Sequence, residues 1–200
     1  MRKIGILGGT FNPIHNGHLI IAETARQHCM LDEVLLIPSG CSYMKNQTEI
    51  LPGSLRLEIV QLAAEENPFF KASDMEVLRQ GNSYTYETIL TLKEQNPEDQ
   101  LYYIVGADTL FYMENWRKPE IIFQNAVTLA AVRDGFLDDS LKEKTRCLSE
   151  KYGADIRFLP SLHVEISSTD IRNRCRSGQS CRYLLPESVR LFIEKNGLYR

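Results

Sequence analysis

The chain has little of what marks a secreted, membrane or nucleic-acid-coating protein. Its 200 residues hold five cysteines, Cys29, Cys41, Cys147, Cys175 and Cys181, an odd and scattered set without a C-x-x-C pair. That pattern supplies no disulfide framework, so reduced thiols buried in a core are expected. Cys41 lies in the polar run SGCSYMK with no base beside it to activate the thiol. No apolar run approaches the roughly 18 residues that a membrane span needs. The apolar stretch after Met1 is also shorter than a secretory core of about 7–15 residues. Formal charge is −3 at pH 7, which leaves no overall basic field to hold nucleic acid or an anionic bilayer. No internal repeat, low-complexity tract or Pro/Gly/Ser linker divides the chain. At 43% hydrophobic and 24% charged residues the composition is that of an ordinary globule. The expectation is one cytoplasmic domain over residues 1–200, binding neither nucleic acid nor membrane. Oligomeric state stays open, a homo-oligomer included.

Short apolar runs stand at Ile4–Leu7, Val34–Ile37, Leu101–Val105, Ala126–Val132 and Ile156–Leu159, with a weaker one near Phe69–Ala72. Runs this short and continuous suit strands buried on both faces of a parallel sheet. Amphipathic stretches of helical length separate them: His18–Met30, Leu55–Asn67, Tyr86–Gln95 and Leu141–Tyr152. Pro186 opens a last helix that Gly197 closes. Strand–helix alternation predicts an α/β layer fold with right-handed crossovers. Such sheets bind ligands beyond the carboxyl ends of their strands, so the residues that follow each apolar run are the ones to inspect.

Two of those segments are unusual. After Ile4–Leu7 comes GGTFNPIHNGH. Two glycines at a strand end allow close backbone approach, and His15 and His18 share a face at the next helix start. A helix start also offers unpaired amides and a positive dipole end to a phosphate. Neither G-x-G-x-x-G nor the Walker loop is present, and a tight turn with two incidental histidines is the plainer alternative. No carboxylate or third imidazole lies at metal-ligand spacing. After Ile156–Leu159 comes ISSTDIRNRCRSG. Ser167 with Asp170 fits a capping box, and Arg172 falls one turn into the helix. That is either a second polyanion seat or a capped, solvated surface helix.

Taken together, GGTFNPIHNGH and ISSTDIR resemble the nucleotidyltransferases of the H-x-G-H type. VLLIPSG with Lys45, NSYTYET, YYIVGADTL, the ENW around Trp116, Arg133 and the closing YLLPESVRLFIEKNGLY extend the likeness over essentially the whole chain. They fall in the order seen in bacterial nicotinate-nucleotide adenylyltransferases. The resemblance implies a Rossmann-like, doubly wound, mainly parallel sheet with helices on both faces and C-terminal helices. It also implies adenylyl transfer from ATP to nicotinate mononucleotide, releasing pyrophosphate, with Mg²⁺ arriving on ATP. His15, His18 and Arg172 would be catalytic. Gly8, Gly9, Thr10, Phe11, Asn12, Lys45, Gly106, Asp108, Ser167, Ser168 and Thr169 would bind ATP, and Ser83, Tyr84, Thr85, Trp116 and Arg133 the mononucleotide. The sequence departs from the family at Asn12, where Asp is usual, and at CSYMK, which replaces a Pro-rich, His-containing segment. Sister enzymes joining ATP or CTP to other phosphates would share both motifs. A nucleotide-binding regulatory module would share them too.

Overall fold

The computed structural model describes residues 1–40, 50–133, 138–161 and 164–200. Among these it forms six strands, β1 (Lys3–Gly9), β2 (Glu33–Pro38), β3 (Phe70–Ala72), β4 (Gln100–Gly106), β5 (Ala126–Arg133) and β6 (Ile156–Ser161). The α-helices are α1 (Asn16–Cys29), α2 (Gly53–Ala64), α3 (Thr85–Gln95), α4 (Pro119–Asn125), α5 (Asp139–Tyr152), α6 (Ser168–Arg176) and α7 (Glu187–Lys195). One sheet holds all six strands in the order β3-β2-β1-β4-β5-β6. This is the doubly wound strand order, in which the order reverses between β1 and β4.

The chain is organised as two compact units. The first gathers Met1–Leu7, Ile21–Leu35 and Ser83–His163; the second gathers Gly8–Ile20, Leu36–Asn82 and Val164–Arg200. In the first unit β1, β4, β5 and β6 pair in parallel, with Ile4 opposite Leu101, Leu101 opposite Ala126 and Thr128 opposite Ile156. Strand β4 is buried from Leu101 to Val105, which is why it reads as an unbroken apolar run rather than an alternating one. Helix α3 packs on α4. Asp138 caps α5, its Oδ1 accepting from the Leu141 amide at 2.7 Å. Glu114 accepts from Lys144 and from Lys151, the latter at 2.9 Å, tying the segment before Trp116 to α5. In the second unit α2 packs on β3 and α7, and Ile59, Val60, Ala63, Val189 and Ile193 are buried there.

All six apolar runs are strands, and the six expected helices form, the one capped by Ser167 included. The ends differ by one or two residues at most strands and by up to three at helices. Helix α4 and two 3-10 turns at Ala107–Phe111 and Met113–Asn115 were not legible, because elements of one or two turns are too short to show a period. The thiols depart from expectation: Cys181 is buried, Cys29 and Cys175 are half-buried, and Cys147 is exposed. Cys147 lies beside the buried stripe of α5, which is Leu141 and Leu148. Among the described residues no helix is long and apolar enough to cross a membrane.

Candidate active site

The second unit holds the first cluster. Gly9 ends β1 where a Cβ would stand 2.9 Å from the Phe11 ring, so a side chain there would displace the aromatic. Phe11 is buried and adopts φ of +46°, and the Asn12–Pro13 peptide is cis. His15 follows directly before α1, which begins at Asn16. The imidazoles of His15 and His18 stack with centroids 3.6 Å apart and planes at 23°. Phe11 meets His18 edge-on at 5.1 Å. Gly17 separates the two histidines because a Cβ there would lie 3.1 Å from His15 Nδ1.

The hydrogen bonds set the state of each ring. His18 Nδ1 accepts from the His15 amide at 3.2 Å, so the proton of the neutral ring sits on Nε2 and that nitrogen is the donor. His15 is buried, and its Nδ1 has no hydrogen-bond partner among the described residues. Burial pulls its pKa down to about 4, so it is a neutral dipole at pH 7. This shift carries a stability consequence. Between about pH 4 and 6.5 the unfolded chain takes up a proton that the folded chain refuses, so stability is complete above 6.5 and falls as pH drops towards 4. Urea titrations should show the wild type losing about 3 kcal/mol more than His15→Asn between pH 7 and pH 4. Equal losses in the two proteins would contradict the burial of a neutral ring.

Helix α6 is joined to the same loop. Ser167 caps it, its Oγ accepting from the Asp170 amide at 3.1 Å. The expected capping box is only half formed, since the Asp170 carboxylate turns to Arg174 at 2.8 Å instead of reaching back. Ser168 Oγ donates to the Pro13 carbonyl at 2.8 Å. Arg172 donates from Nη1 to the Asn12 carbonyl at 3.0 Å and from Nη2 to Thr169 Oγ1 at 3.2 Å, while its buried Nε has no partner among the described residues. Arg176 is engaged with Asn173. Arg172 is thus bonded to the glycine-led loop, while Arg174 is paired with Asp170 on its own helix.

Two residues that sequence reasoning missed hold this loop. Arg56 is 2% exposed and donates to the carbonyls of Thr10 (2.7 Å), Ser39 (2.6 Å), Gly40 (3.1 Å) and Leu51 (2.9 Å). A signal existed, because Arg56 occupies a position of the apolar stripe of α2, three, four and seven residues before Ile59, Val60 and Ala63. Tyr199 donates to Asn12 Oδ1 at 3.0 Å. A cleft of about 330 Å³ opens beside Thr10, Ser39, Gly40, Leu51, Arg56 and Arg79.

The first unit holds the second cluster. Tyr84, in extended conformation, precedes the first residue of α3, Thr85, without a side-chain cap. Thr85 Oγ1 lies 3.5 Å from the Tyr103 hydroxyl, and the half-buried Trp116 meets the Tyr103 ring edge-on with centroids 6.0 Å apart. The Arg117 guanidinium stands 4.8 Å from the centre of the Tyr84 ring. Tyr84, Thr85 and Trp116 are thus linked through Tyr103 and Arg117, with Ser83 just before them. Gly106 ends β4, exposed, with nothing within 4 Å of where a Cβ would stand. Asp108 is exposed inside the 3-10 turn, which Gly106 precedes as its cap residue; a helix cap at Asp108 is therefore not what forms. Arg133 ends β5, but its side chain, Lys45, Cys41 and His163 lie outside the described residues. Among the described residues no group of three or more His, Cys, Asp or Glu is placed to hold a metal.

The profile of the cytidylyltransferase-like family matches residues 6–174. This chain belongs to that family. Within the family its relatives are nicotinate-nucleotide adenylyltransferases. The enzyme of that name from Lachnoclostridium phytofermentans is 44% identical over 199 residues, covering 100% of both chains. The one from Desulfitobacterium hafniense is 42% identical over 206 residues, covering 100% of this chain and 96% of its own. Among solved structures, Plasmodium falciparum nicotinic acid mononucleotide adenylyltransferase complexed with NaAD shares the fold. It has a TM-score of 0.75 at 20% identity and covers 100% of this chain and 98% of its own. The cytidylyltransferase-like match runs from β1 through most of α6, so both histidines, Asn12 and Arg172 fall inside it. Tyr199 does not.

Proposed function

We propose that this chain transfers the adenylyl group of ATP to nicotinate mononucleotide, giving nicotinate adenine dinucleotide and pyrophosphate in NAD biosynthesis, in the cytoplasm. The observation that carries the reading is the stacked His15–His18 pair bound to the same loop as Arg172, in a chain 44% identical along its full length to an enzyme of that name.

The chemistry suits this inventory. The attacking phosphate is already ionised at pH 7, so neither a general base nor a protein nucleophile is required. The protein must align the reacting phosphates and neutralise charge as it grows on the leaving pyrophosphate. The Nε2 proton of His18 donates to a phosphate oxygen of ATP, and neutral His15 contributes a dipole rather than a charge. Gly8, Gly9, Thr10, Phe11 and Asn12 bring backbone amides and a fixed turn. Ser167, Ser168, Thr169 and Arg172 receive the β- and γ-phosphates at the start of α6. On the acceptor side, the amides at Ser83, Tyr84 and Thr85 receive the nicotinate carboxylate, and Trp116 stacks on the pyridine ring. Gly106 and Asp108 meet a ribose, while Arg133 and Lys45 are assigned to phosphate. Mg²⁺ comes with ATP, where it neutralises phosphate charge. The side chains of the first cluster are donors and cations rather than carboxylates, a set built for phosphate oxygens.

The test is pyrophosphate release from Mg·ATP with nicotinate mononucleotide, run beside nicotinamide mononucleotide. Release with the acid, and at least about tenfold less with the amide, is expected because a charged acceptor at helix amides makes the stronger bonds. Release with neither mononucleotide would sink the substrate assignment.

A further inference from the structure

Tyr199 lies beyond the family match and 187 residues downstream of Asn12, yet its hydroxyl reaches Asn12 Oδ1 at 3.0 Å. Asn12 is 4% exposed. Its Oδ1 accepts a second bond, from the Leu51 amide at 3.1 Å, so both lone pairs of that oxygen are used. Two donors facing one atom fix which end of the carboxamide is oxygen and hold the side chain in a single orientation. The main-chain carbonyl of the same residue is the acceptor for Arg172 Nη1. Asn12 is thus the joint between the end of the chain, the start of α2 and the arginine of α6.

We propose that Tyr199 is a positioning residue for the ATP-phosphate loop, its hydroxyl holding Asn12, and through Asn12 the guanidinium of Arg172, in the geometry the reaction uses. This inference rests on the adenylyl-transfer reading above. Independent features of the backbone support it. Tyr199 adopts φ of +61° and Phe11 +46°; side chains this bulky occupy the left-handed region only where the surroundings hold them. The hydroxyl also keeps its proton to donate. Burial pushes the Tyr199 pKa well above the usual phenol value, against the pull of Arg172 and Arg56. Arg172 depends on the joint, since among the described residues its guanidinium bonds the Asn12 carbonyl and Thr169 Oγ1, and its Nε finds no partner there. Without the Tyr199 hydroxyl, Asn12 Oδ1 keeps the Leu51 amide but loses the donor that ties it to Tyr199.

The experiment compares steady-state kinetics of wild type, Tyr199→Phe, Asn12→Ala and the double variant, each measured well below its Tm. Tyr199→Phe should lower kcat/KM for ATP about tenfold, the worth of one buried hydrogen bond, and leave KM for nicotinate mononucleotide within about twofold. Because Tyr199 acts through Asn12, the double variant should be no slower than Asn12→Ala alone. Asn12→Asp, which keeps the acceptor, should retain both activity and dependence on Tyr199. A purely structural role would lower Tm yet leave kcat/KM for ATP, read well below that Tm, unchanged, and additive kinetic losses would detach Tyr199 from Asn12; either result overturns the proposal. So does a Tyr199→Phe enzyme within about twofold of wild type. A wild type that releases no pyrophosphate overturns the reaction reading and this inference with it.

Discussion

Replacing His18 with alanine is expected to lower kcat about 10²- to 10³-fold, the usual cost of one preorganised donor to a developing negative charge. The structure gives a reason for the size. His18 Nδ1 is occupied by the His15 amide at 3.2 Å, which commits Nε2 as donor before substrate arrives, so no reorganisation is needed as charge grows. Its ring is also gripped between the His15 face and the Phe11 edge, which leaves little freedom to point elsewhere. Alanine removes the donor and the grip together. Affinity for ATP should change far less than kcat, because the interaction strengthens chiefly in the transition state. The measurement is pyrophosphate release at saturating substrates, with an ATP binding isotherm beside it. His18→Gln, which keeps a side-chain donor on a floppier stem, should fall between alanine and wild type. A loss below about tenfold in His18→Ala would remove His18 from the reaction.

The largest effect on stability is expected at Arg56. Arg56 is 2% exposed, and its guanidinium serves four carbonyls from three separate segments: Thr10 after β1, Ser39 and Gly40 after β2, and Leu51 before α2. Burial lowers its pKa from the ordinary arginine value, but arginine remains cationic in proteins, and each carbonyl bond to a cation is worth more than a neutral one. In Arg56→Met the side chain fills much of the volume while all four carbonyls lose their donor. The expected cost is roughly 3–5 kcal/mol, a fall in Tm of about 10 °C or more for a chain of this length. Thermal and urea unfolding measure it directly. Lysine should recover only part, since a point charge cannot reach acceptors arranged around a planar fork. A loss below about 1 kcal/mol in Arg56→Met would mean that water replaces the guanidinium at these carbonyls.

Much of this was legible in the chain itself because the signals are local. Strand β4 shows as the run Leu101–Val105, since a strand buried on both faces has no polar position to interrupt it. The caps at Ser167 and the turn at Gly8-Gly9 are short-range features that a few neighbouring residues dictate. His15 and His18 could be placed on one face from their spacing alone. What the neighbours of Arg172 do on α6 was less legible, because it depends on side-chain pairing: Asp170 engages Arg174, Asn173 engages Arg176, and Arg172 reaches the Asn12 carbonyl. Asp170 was expected to complete a capping box, and a competing ion pair one turn later took its carboxylate.

By itself, then, the sequence determined the strand and helix order and the motifs GGTFNPIHNGH and ISSTDIR that lead the family likeness, because each depends on residues within a turn or two of one another. Only the tertiary structure decided the tautomer of His18, the neutrality of His15, and the attachment of Arg56 and Tyr199 to the loop. Those depend on which buried donor finds which acceptor across tens of residues, or 187 in the case of Tyr199 and Asn12. Periodicity carries no record of such pairings: a buried polar group is obliged to find a partner, and which partner it finds is settled when the chain packs.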